Sequence, residues 1–477
     1  MICFPPRPSP RRQPPPDIAK PRLADSPADG SGRAYGLPFW AAYAANTLVM
    51  VAVALLYRYA DFVTLLGGTE FHLGWIVGVG MIGSVVMRLF LGSGIDHHGP
   101  RLVWLASLAV LVLTCFAHLG VTNHNGVAIY LLRIVFCTAL AGIFGASTTF
   151  ISGGASVERM AELIGMLGTS GFVGIMLGTQ LGDFLCGTAT IERWQVDLMF
   201  LVAGLLVTAA IPFAWRATRH QLPPVRQRRT SMTRLVERYH PGMVLLVGAV
   251  SGAAISFPST FLRPYAAELD IARIGLFFTV CGLTAVITRV LTRRLPERFG
   301  LPPIILFGLA VMAVSQFLLL LVRTEWQLVV PGVSFGIAQA ILFPMVTAAG
   351  SSTFPHRHRG LGITLTLAAF DVGQLVGAPL VGVILHVSQS LGWPSYSTMF
   401  TAMAAALALV GAVYAAAPTR KRAERERVGL CENNAGQGGP LGAPPIAPPS
   451  DGNTRWSGAG PLRNPLGAHN RGADGPR

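Results

Sequence analysis

Twelve long apolar segments constrain the fold of this chain more than any other feature. Each is about 20–27 residues long, the length that an α-helix needs to cross roughly 30 Å of hydrocarbon. They cover residues 37–58, 73–94, 102–121, 126–150, 163–187, 196–215, 242–262, 272–292, 301–322, 326–349, 360–386 and 395–416. Because a helix satisfies its own backbone hydrogen bonds, it can span a bilayer alone. The pattern predicts an all-α polytopic membrane protein with twelve transmembrane helices, which we number spans 1 to 12.

The composition agrees with a membrane protein. Of the 477 residues, 52% are hydrophobic and 12% are charged, whereas soluble domains are about a quarter charged. The net charge is +15, but the arginines concentrate in the tails and connections, where they act as topology signals. We therefore expect the lipid bilayer, and no nucleic acid, as a partner.

Sequence motifs argue against ATP-driven transport and against an enzyme. The chain lacks the Walker phosphate-binding sequence and the His-Glu-x-x-His zinc sequence. Its six cysteines include no Cys-x-x-Cys pair. We therefore expect the cysteines to act as small apolar residues, and to form neither a metal site nor a disulfide. No cofactor is expected.

The distribution of arginine predicts the orientation. A short polar hairpin around 92–101 joins spans 2 and 3, and we call its side of the membrane the hairpin face and the other side the far face. The hairpin face also receives the Arg-rich connection 216–241 and both tails. Because positive charge favours the inner side, we predict a multi-pass protein of the cell membrane with both termini cytoplasmic.

The longest connection divides the chain into two halves of six spans. We predict a disordered N-tail over 1–35, an N-terminal bundle over 36–215 and a cytoplasmic linker over 216–241. A C-terminal bundle then covers 242–416, and a disordered C-tail covers 417–477. Both tails lack the apolar content that a core requires.

An internal repeat relates the two halves. A shift of 201 positions superimposes four pairs: Gly74 and Gly275, Arg88 and Arg289, Asp96 and Glu297, and Gly99 and Gly300. In span 5, Gly174, Gly178 and Gly182 can be set beside a similar glycine series in span 11, which is Gly373, Gly377 and Gly382. Matched layout and matched motifs indicate a duplication, and therefore two pseudo-symmetric six-helix bundles.

The hairpin resembles the signature of the major facilitator superfamily, Gly-x-x-x-Asp-(Arg/Lys)-x-Gly-(Arg/Lys)-(Arg/Lys). Gly92, Asp96, Gly99 and Arg101 match it, while a histidine and a proline replace two cations. The resemblance implies alternating access by rocking of the two bundles. It also implies that Asp96 docks on span 11 near Gly360 in the outward-facing state.

Further stretches are similar to the efflux branches of that superfamily. They are Arg88, eight residues before Asp96, and the segment from Arg359 to Pro379 around Asp371. We assign gating roles to six residues of the two repeat copies: Asp96, Arg88, Arg101, Arg289, Glu297 and Gly99.

Charges within spans are candidate functional groups, because each costs about 2.5–3.5 kcal/mol to insert. Asp371 lies about 16 Å into span 11, so it is either a proton-coupling carboxylate or a structural one. Arg133 lies roughly 12 Å into span 4. It either pairs with an acid such as Asp371, binds an anionic substrate, snorkels outward, or satisfies backbone carbonyls.

Uncharged polar residues within spans complete the candidate site. Asn46, Gln180, Gln339 and Gln374 either line a cavity or join neighbouring helices by hydrogen bonds. Arg58, Asp61 and Asp183 fall near the far face, where we expect a solvated mouth.

These features predict a monomeric secondary transporter that exports a small organic solute, coupled to inward proton flow. An alternative is a proton-coupled uptake symporter for an organic anion, which the intramembrane residues Arg88, Arg133 and Arg289 motivate. A third possibility, from another class, is a non-transporting membrane sensor or scaffold that signals through its tails.

Overall fold

The structure is a computed structural model that describes residues 35–153, 157–186, 191–219, 242–292, 294–354 and 359–417. For residues 92, 93, 96 and 157–161 it describes the backbone alone. Nearly all of the predicted tails, and most of the 216–241 connection, lie outside these ranges. All described residues belong to one compact unit.

The described ranges contain helices and no strand, and twelve helical spans are long and apolar enough to cross a membrane. The N-terminal half consists of Leu37–Leu55, Tyr59–Leu65, Glu70–Ala117, Val127–Gly153, Val157–Cys186 and Arg193–Thr218. The C-terminal half consists of Met243–Glu268, Gly275–Thr292, Leu295–Phe299, Leu301–Leu319, Val329–Ser352, Arg359–Ser390 and Ser395–Ala416. The predicted fold class is therefore confirmed.

Two elements differ from the apolar segments. Span 1 continues past residue 58 through the 3₁₀ turn Leu56–Arg58 into the helix Tyr59–Leu65. Spans 2 and 3 lie within Glu70–Ala117 as two helices that follow each other directly, separated by a sharp bend at Gly99, whose backbone is not helical. The polar stretch between them is thus helical almost to the bend, and not an open loop.

The bend at Gly99 recurs in the second half. Gly99 has φ 78°, and Gly300, at the start of span 9, has φ 76°. This left-handed region is strained for residues with a Cβ and accessible to glycine. The duplication inferred from sequence therefore preserved the same backbone conformation at both turns.

The two halves pack in the same way. Spans 5 and 11, which carry the glycine series, cross spans 1 and 7 respectively at close range. A Cβ added to Gly178 would meet Ala54, and one added to Gly377 would meet Ala253. The halves meet at two main contacts, between spans 2 and 11 and between spans 5 and 8, and the end of span 1 also touches span 7. Large apolar side chains such as Phe90, Phe184 and Leu291 point outward, as on a lipid-facing surface.

Candidate functional site

A cavity of about 260 Å³ lies between the two halves. Its walls are largely aromatic: Tyr57 and Phe172 come from the N-terminal half, and Phe278, Phe335, Phe343 and Phe370 come from the C-terminal half. Gln339, Asp371 and Gln374 also line it. Three of the predicted site residues therefore share one cavity. Its volume lies near the lower end of ligand pockets, about 300 Å³, so it suits a small solute.

Asp371 is the charged group of this cavity, and it is 7% exposed. Its carboxylate accepts hydrogen bonds from Ser84 Oγ at 2.6 Å and from Arg88 Nη2 at 3.2 Å. Arg88 Nε also donates to the same carboxylate. Since Ser84 and Arg88 belong to span 2, this ion pair joins the two halves where the cavity meets their interface.

The pairing differs from one of the sequence expectations. Arg133 is not the ionic partner of Asp371 in this structure. Its guanidinium lies over the rings of Tyr59 at 4.7 Å and Phe136 at 5.0 Å, and its Nε is buried without a hydrogen-bond partner. Arg88 takes the place beside Asp371. The two residues are 283 positions apart, so only the packing of span 2 on span 11 brings them together.

The second copy of the repeat has different chemistry at the same place. Arg289 corresponds to Arg88, and its guanidinium lies 4.8 Å from the ring centroid of Phe172. The alignment that pairs Gly174 with Gly373 also pairs Phe172 with Asp371. Ala285, fully buried in a small apolar cluster with Phe172, stands where the first copy has Ser84. The repeat therefore keeps the cation and replaces its acid by an aromatic ring.

The remaining polar candidates divide into two groups. Gln339 and Gln374 line the cavity. Asn46 instead donates to Ser147 at 3.2 Å within the N-terminal half. Gln180 donates to Thr279 at 2.9 Å across the contact between spans 5 and 8. The last two residues therefore join helices, and neither lines the cavity.

A buried ion network closes the far face, and the sequence expectation of a solvated mouth there is wrong. Arg58 is 2% exposed and Asp183 is 7% exposed. Arg58 donates to Asp61 at 2.9 Å and to Asp183 at 3.0 Å. Arg263 donates to Asp61 at 2.9 Å, and the amide of Gly275 donates to Asp183 at 2.6 Å. We call these four charged residues the far-face network.

The far-face network links the halves, because Arg58, Asp61 and Asp183 belong to the first half and Arg263 to the second. Sequence reasoning missed it because residues near the end of a span are normally hydrated. One sequence signal could have predicted the network: arginines and acidic residues occur close together at these helix ends.

The predicted gate residues of the hairpin face lie at the ends of spans. Gly99 forms the bend, Arg101 is half-buried and Glu297 is exposed. The side chain of Asp96 lies outside the described residues. A Cβ added to Gly360 would meet no described atom within 4 Å. Among the described residues at the ends of the spans, the charged contact between the halves lies at the far face.

Comparisons with known proteins agree with this architecture. A family model described as Major Facilitator Superfamily matches residues 39–268 and 244–457. The staphylopine export protein of Staphylococcus aureus is 22% identical over 359 residues, covering 72% of this chain and 86% of that protein. The multidrug resistance protein MdtG of Citrobacter koseri is 22% identical over 369 residues, covering 74% and 86%.

Solved structures share the fold at low identity. The nucleoside transporter NupG has a TM-score of 0.65 and 13% identity, covering 80% of this chain and 98% of that one. A D-xylose-proton symporter has a TM-score of 0.62 and 14% identity, covering 78% and 96%.

Proposed function

The chain belongs to the Major Facilitator Superfamily, and from this premise we propose that it exports a small organic solute in exchange for protons. It is a membrane transporter and not an enzyme. Export is supported by similar proteins whose names describe export and multidrug resistance. A monomer suffices for this activity, because the cavity and both contacts between the halves form within one chain.

The observation that carries proton coupling is the position of Asp371. Its carboxylate lines the cavity and also forms the ion pair that joins span 2 to span 11. Protonation removes the negative charge that holds Arg88, so it weakens this contact between the halves. A solute in the cavity and a proton on Asp371 thereby act on the same interface, which is what coupling requires.

Alternating access follows from two gates. We assign the hairpin face to the cytoplasm from the distribution of arginine. The far-face network then holds the outer side of the transporter, which supports an inward-facing conformation. In the outward-facing state we expect the bend at Gly99, with Asp96 and Arg101, to close against span 11. Glu297 would take the corresponding position in the second copy.

The cavity walls specify the kind of cargo. Six aromatic rings offer stacking and apolar contact, and the amides of Gln339 and Gln374 offer hydrogen bonds. Such a lining favours a solute with an apolar or aromatic body and a few polar groups. Arg133, Asn46 and Gln180 would then support the helices, since none of them lines the cavity.

The test uses inverted membrane vesicles that hold the full chain and an imposed pH gradient. A pH-sensitive dye reports proton release when small aromatic compounds, one cationic, one neutral and one anionic, are added in turn. We expect compound-dependent proton movement in the wild type and none in Asp371→Asn, with Asp197→Asn as the control at an exposed ion pair. If Asp371→Asn moved protons as the wild type does, the proposal would be overturned.

Uptake of an organic anion is the second candidate, favoured by Arg133 and Arg289, which have no acidic partner among the described residues. Accumulation of labelled carboxylates by intact cells expressing the protein distinguishes the two directions. No uptake across a broad carboxylate panel would count against this candidate.

A further inference from the structure

Arg289 is a cation about two helical turns beyond the cavity wall on span 8, and no described acid pairs with it. Its Nε is buried without a hydrogen-bond partner. Within the described residues it forms no ion pair, and its guanidinium stacks on Phe172. Arg289 lies in the last turn of span 8 and is partly buried. Stacking on a ring is worth about 0.5–2 kcal/mol and leaves the guanidinium able to bind an anion.

Arg289 lies on the same face of span 8 as the cavity wall, beyond its last lining residue, Gly282. Phe278 and Gly282 line the cavity from span 8, and Ala285 and Arg289 follow at the spacing that places residues on one face of a helix. Arg289 lies about 10 Å along the helix from Gly282, toward the hairpin face. Phe172, on which it stacks, is itself part of the cavity wall.

Space for the guanidinium comes from a small residue on span 5. A Cβ added to Gly168 would lie 3.2 Å from Arg289 Nη1. Gly168 is one helical turn from Phe172, on the side of the hairpin face. The arginine head therefore sits between the aromatic cavity and the hairpin-face ends of spans 5 and 8.

The comparison with the first repeat shows what is missing. Arg88 is neutralised by Asp371, with a further hydrogen bond from Ser84. At the matching positions around Arg289 the chain supplies Phe172 and Ala285, neither of which can accept a hydrogen bond from a guanidinium. The chain thus conserves the cation of the repeat but leaves the position of its acid open to an external group.

We infer that the solute itself supplies this acid, and that the transporter carries amphiphilic organic anions. The carboxylate of the solute binds Arg289 through the guanidinium fork, and its aromatic or aliphatic body fills the cavity between Phe172, Phe278 and Gln339. The inference rests on the proposed function, because it names the substrate class of the same cavity.

Cys281 lines the cavity, and its Sγ lies 3.6 Å from Gln339 Oε1. Its reactivity can therefore report whether the cavity is occupied. The experiment uses the full chain in detergent micelles without a pH gradient, with the other five cysteines changed to serine. The rate of alkylation of Cys281 by N-ethylmaleimide is measured by mass spectrometry. The probes are 3-phenylpropionate and 3-phenylpropionamide, which share a shape and differ in charge.

We expect the carboxylate to slow alkylation at a concentration at least tenfold lower than the amide. In Arg289→Gln this preference should disappear while protection by the amide remains. The exposed residue Arg323→Gln is the control and should keep the preference. Phe172→Asp supplies an internal acid, so it should also abolish protection by the carboxylate. Size-exclusion profiles establish whether each variant is folded. If Phe172→Asp does not fold, the result for Arg289→Gln alone tests the inference.

Two results would overturn the inference: equal protection by acid and amide in the wild type, or an unchanged preference in Arg289→Gln. Loss of the preference in Arg133→Gln alone would also overturn it, since the anion would then bind in span 4. Because the assay uses no gradient, its result is independent of proton coupling. If export proves proton-coupled but the acid has no advantage, only the substrate class is wrong.

Discussion

The two contacts between the halves have the same helical layout and opposite distributions of charge. In the contact between spans 2 and 11, the acid Asp371 lies deep in the membrane beside the cavity, and the far end consists of close backbone packing between Gly74 and Gly382. In the contact between spans 5 and 8, the deep position holds Phe172, and the acid Asp183 lies at the far end. The acid that pairs with an arginine therefore lies at a different depth in each contact.

In the proposed function, this difference assigns a separate role to each contact of the duplicated scaffold. A carboxylate beside the cavity can respond to a proton and to a solute, so the contact of spans 2 and 11 is suited to coupling. A carboxylate at the far end, bound by Arg58 and by the Gly275 amide, is suited to closing a gate. Both contacts share the repeated backbone. Their different side chains determine whether a contact is suited to coupling or to closing a gate.

The largest expected difference between the contacts is in stability. Arg88→Gln leaves Asp371 without its ionic partner, and removal of one partner from a buried pair costs about 3–5 kcal/mol. We expect the lower end, because the Arg88 side chain remains 21% exposed. Arg289→Gln loses a stacking contact worth about 1 kcal/mol. Unfolding of the two purified variants in micelles measures both, and equal losses would contradict the comparison.

The far-face network should respond next most strongly. Asp183→Asn removes the acceptor charge of Arg58 and weakens the bond from Gly275, so the outer ends of spans 5 and 8 should separate more often. Cys186, which is 1% exposed and three residues away, reports this opening. We expect its alkylation rate to rise about tenfold.

Asp197→Asn is the matched control for that experiment. Asp197 pairs with Arg193, but their side chains are 39% and 36% exposed, and exposed pairs are worth only about 0–1 kcal/mol. The alkylation rate of Cys186 should therefore stay the same. A similar rise in both variants would show that the burial of Asp183 has no special effect.

A smaller effect is expected at Ser84. Ser84→Ala removes one hydrogen bond to the Asp371 carboxylate, worth about 1.5 kcal/mol. The reciprocal change, Ala285→Ser, gains no carboxylate partner, and its hydroxyl can bond to its own helix backbone, so we expect less than about 0.5 kcal/mol. Unfolding in micelles distinguishes the two, and a stabilising Ala285→Ser would show that the second contact is more polar than described.

The smallest difference in stability is expected between the two turns, at Gly99 and Gly300, because their backbone conformations are alike. Gly99→Ala and Gly300→Ala each force a Cβ into the left-handed region, at about 1–2 kcal/mol. We expect the two losses to agree within about 0.5 kcal/mol, because both glycines have the same φ. Gly165→Ala is the control: its helical position is open, so alanine should be neutral or stabilising. Unequal losses at the two turns would weaken the structural equivalence of the repeats.

Much of the fold could be predicted because it depends on features that are local in sequence. Apolar length specified the twelve spans, and the repeated glycines identified both the duplication and the turns at Gly99 and Gly300. The depth of Asp371 in span 11 marked it as a candidate before any partner was known. These predictions rest on two local properties. A segment in lipid must satisfy its own backbone hydrogen bonds, and a glycine, which has no Cβ, can adopt a positive φ.

The partners of these residues were decided by the tertiary structure alone. Arg88, rather than Arg133, meets Asp371, and Arg58 meets Asp183, because long-range packing of glycine-rich helices sets which side chains share an interface. The sequence showed that Arg289 repeats Arg88, but only the folded chain shows that Phe172 occupies the place of the acid. Spacing along one helix fixes which face a residue occupies, whereas the neighbour on that face comes from a helix hundreds of residues away.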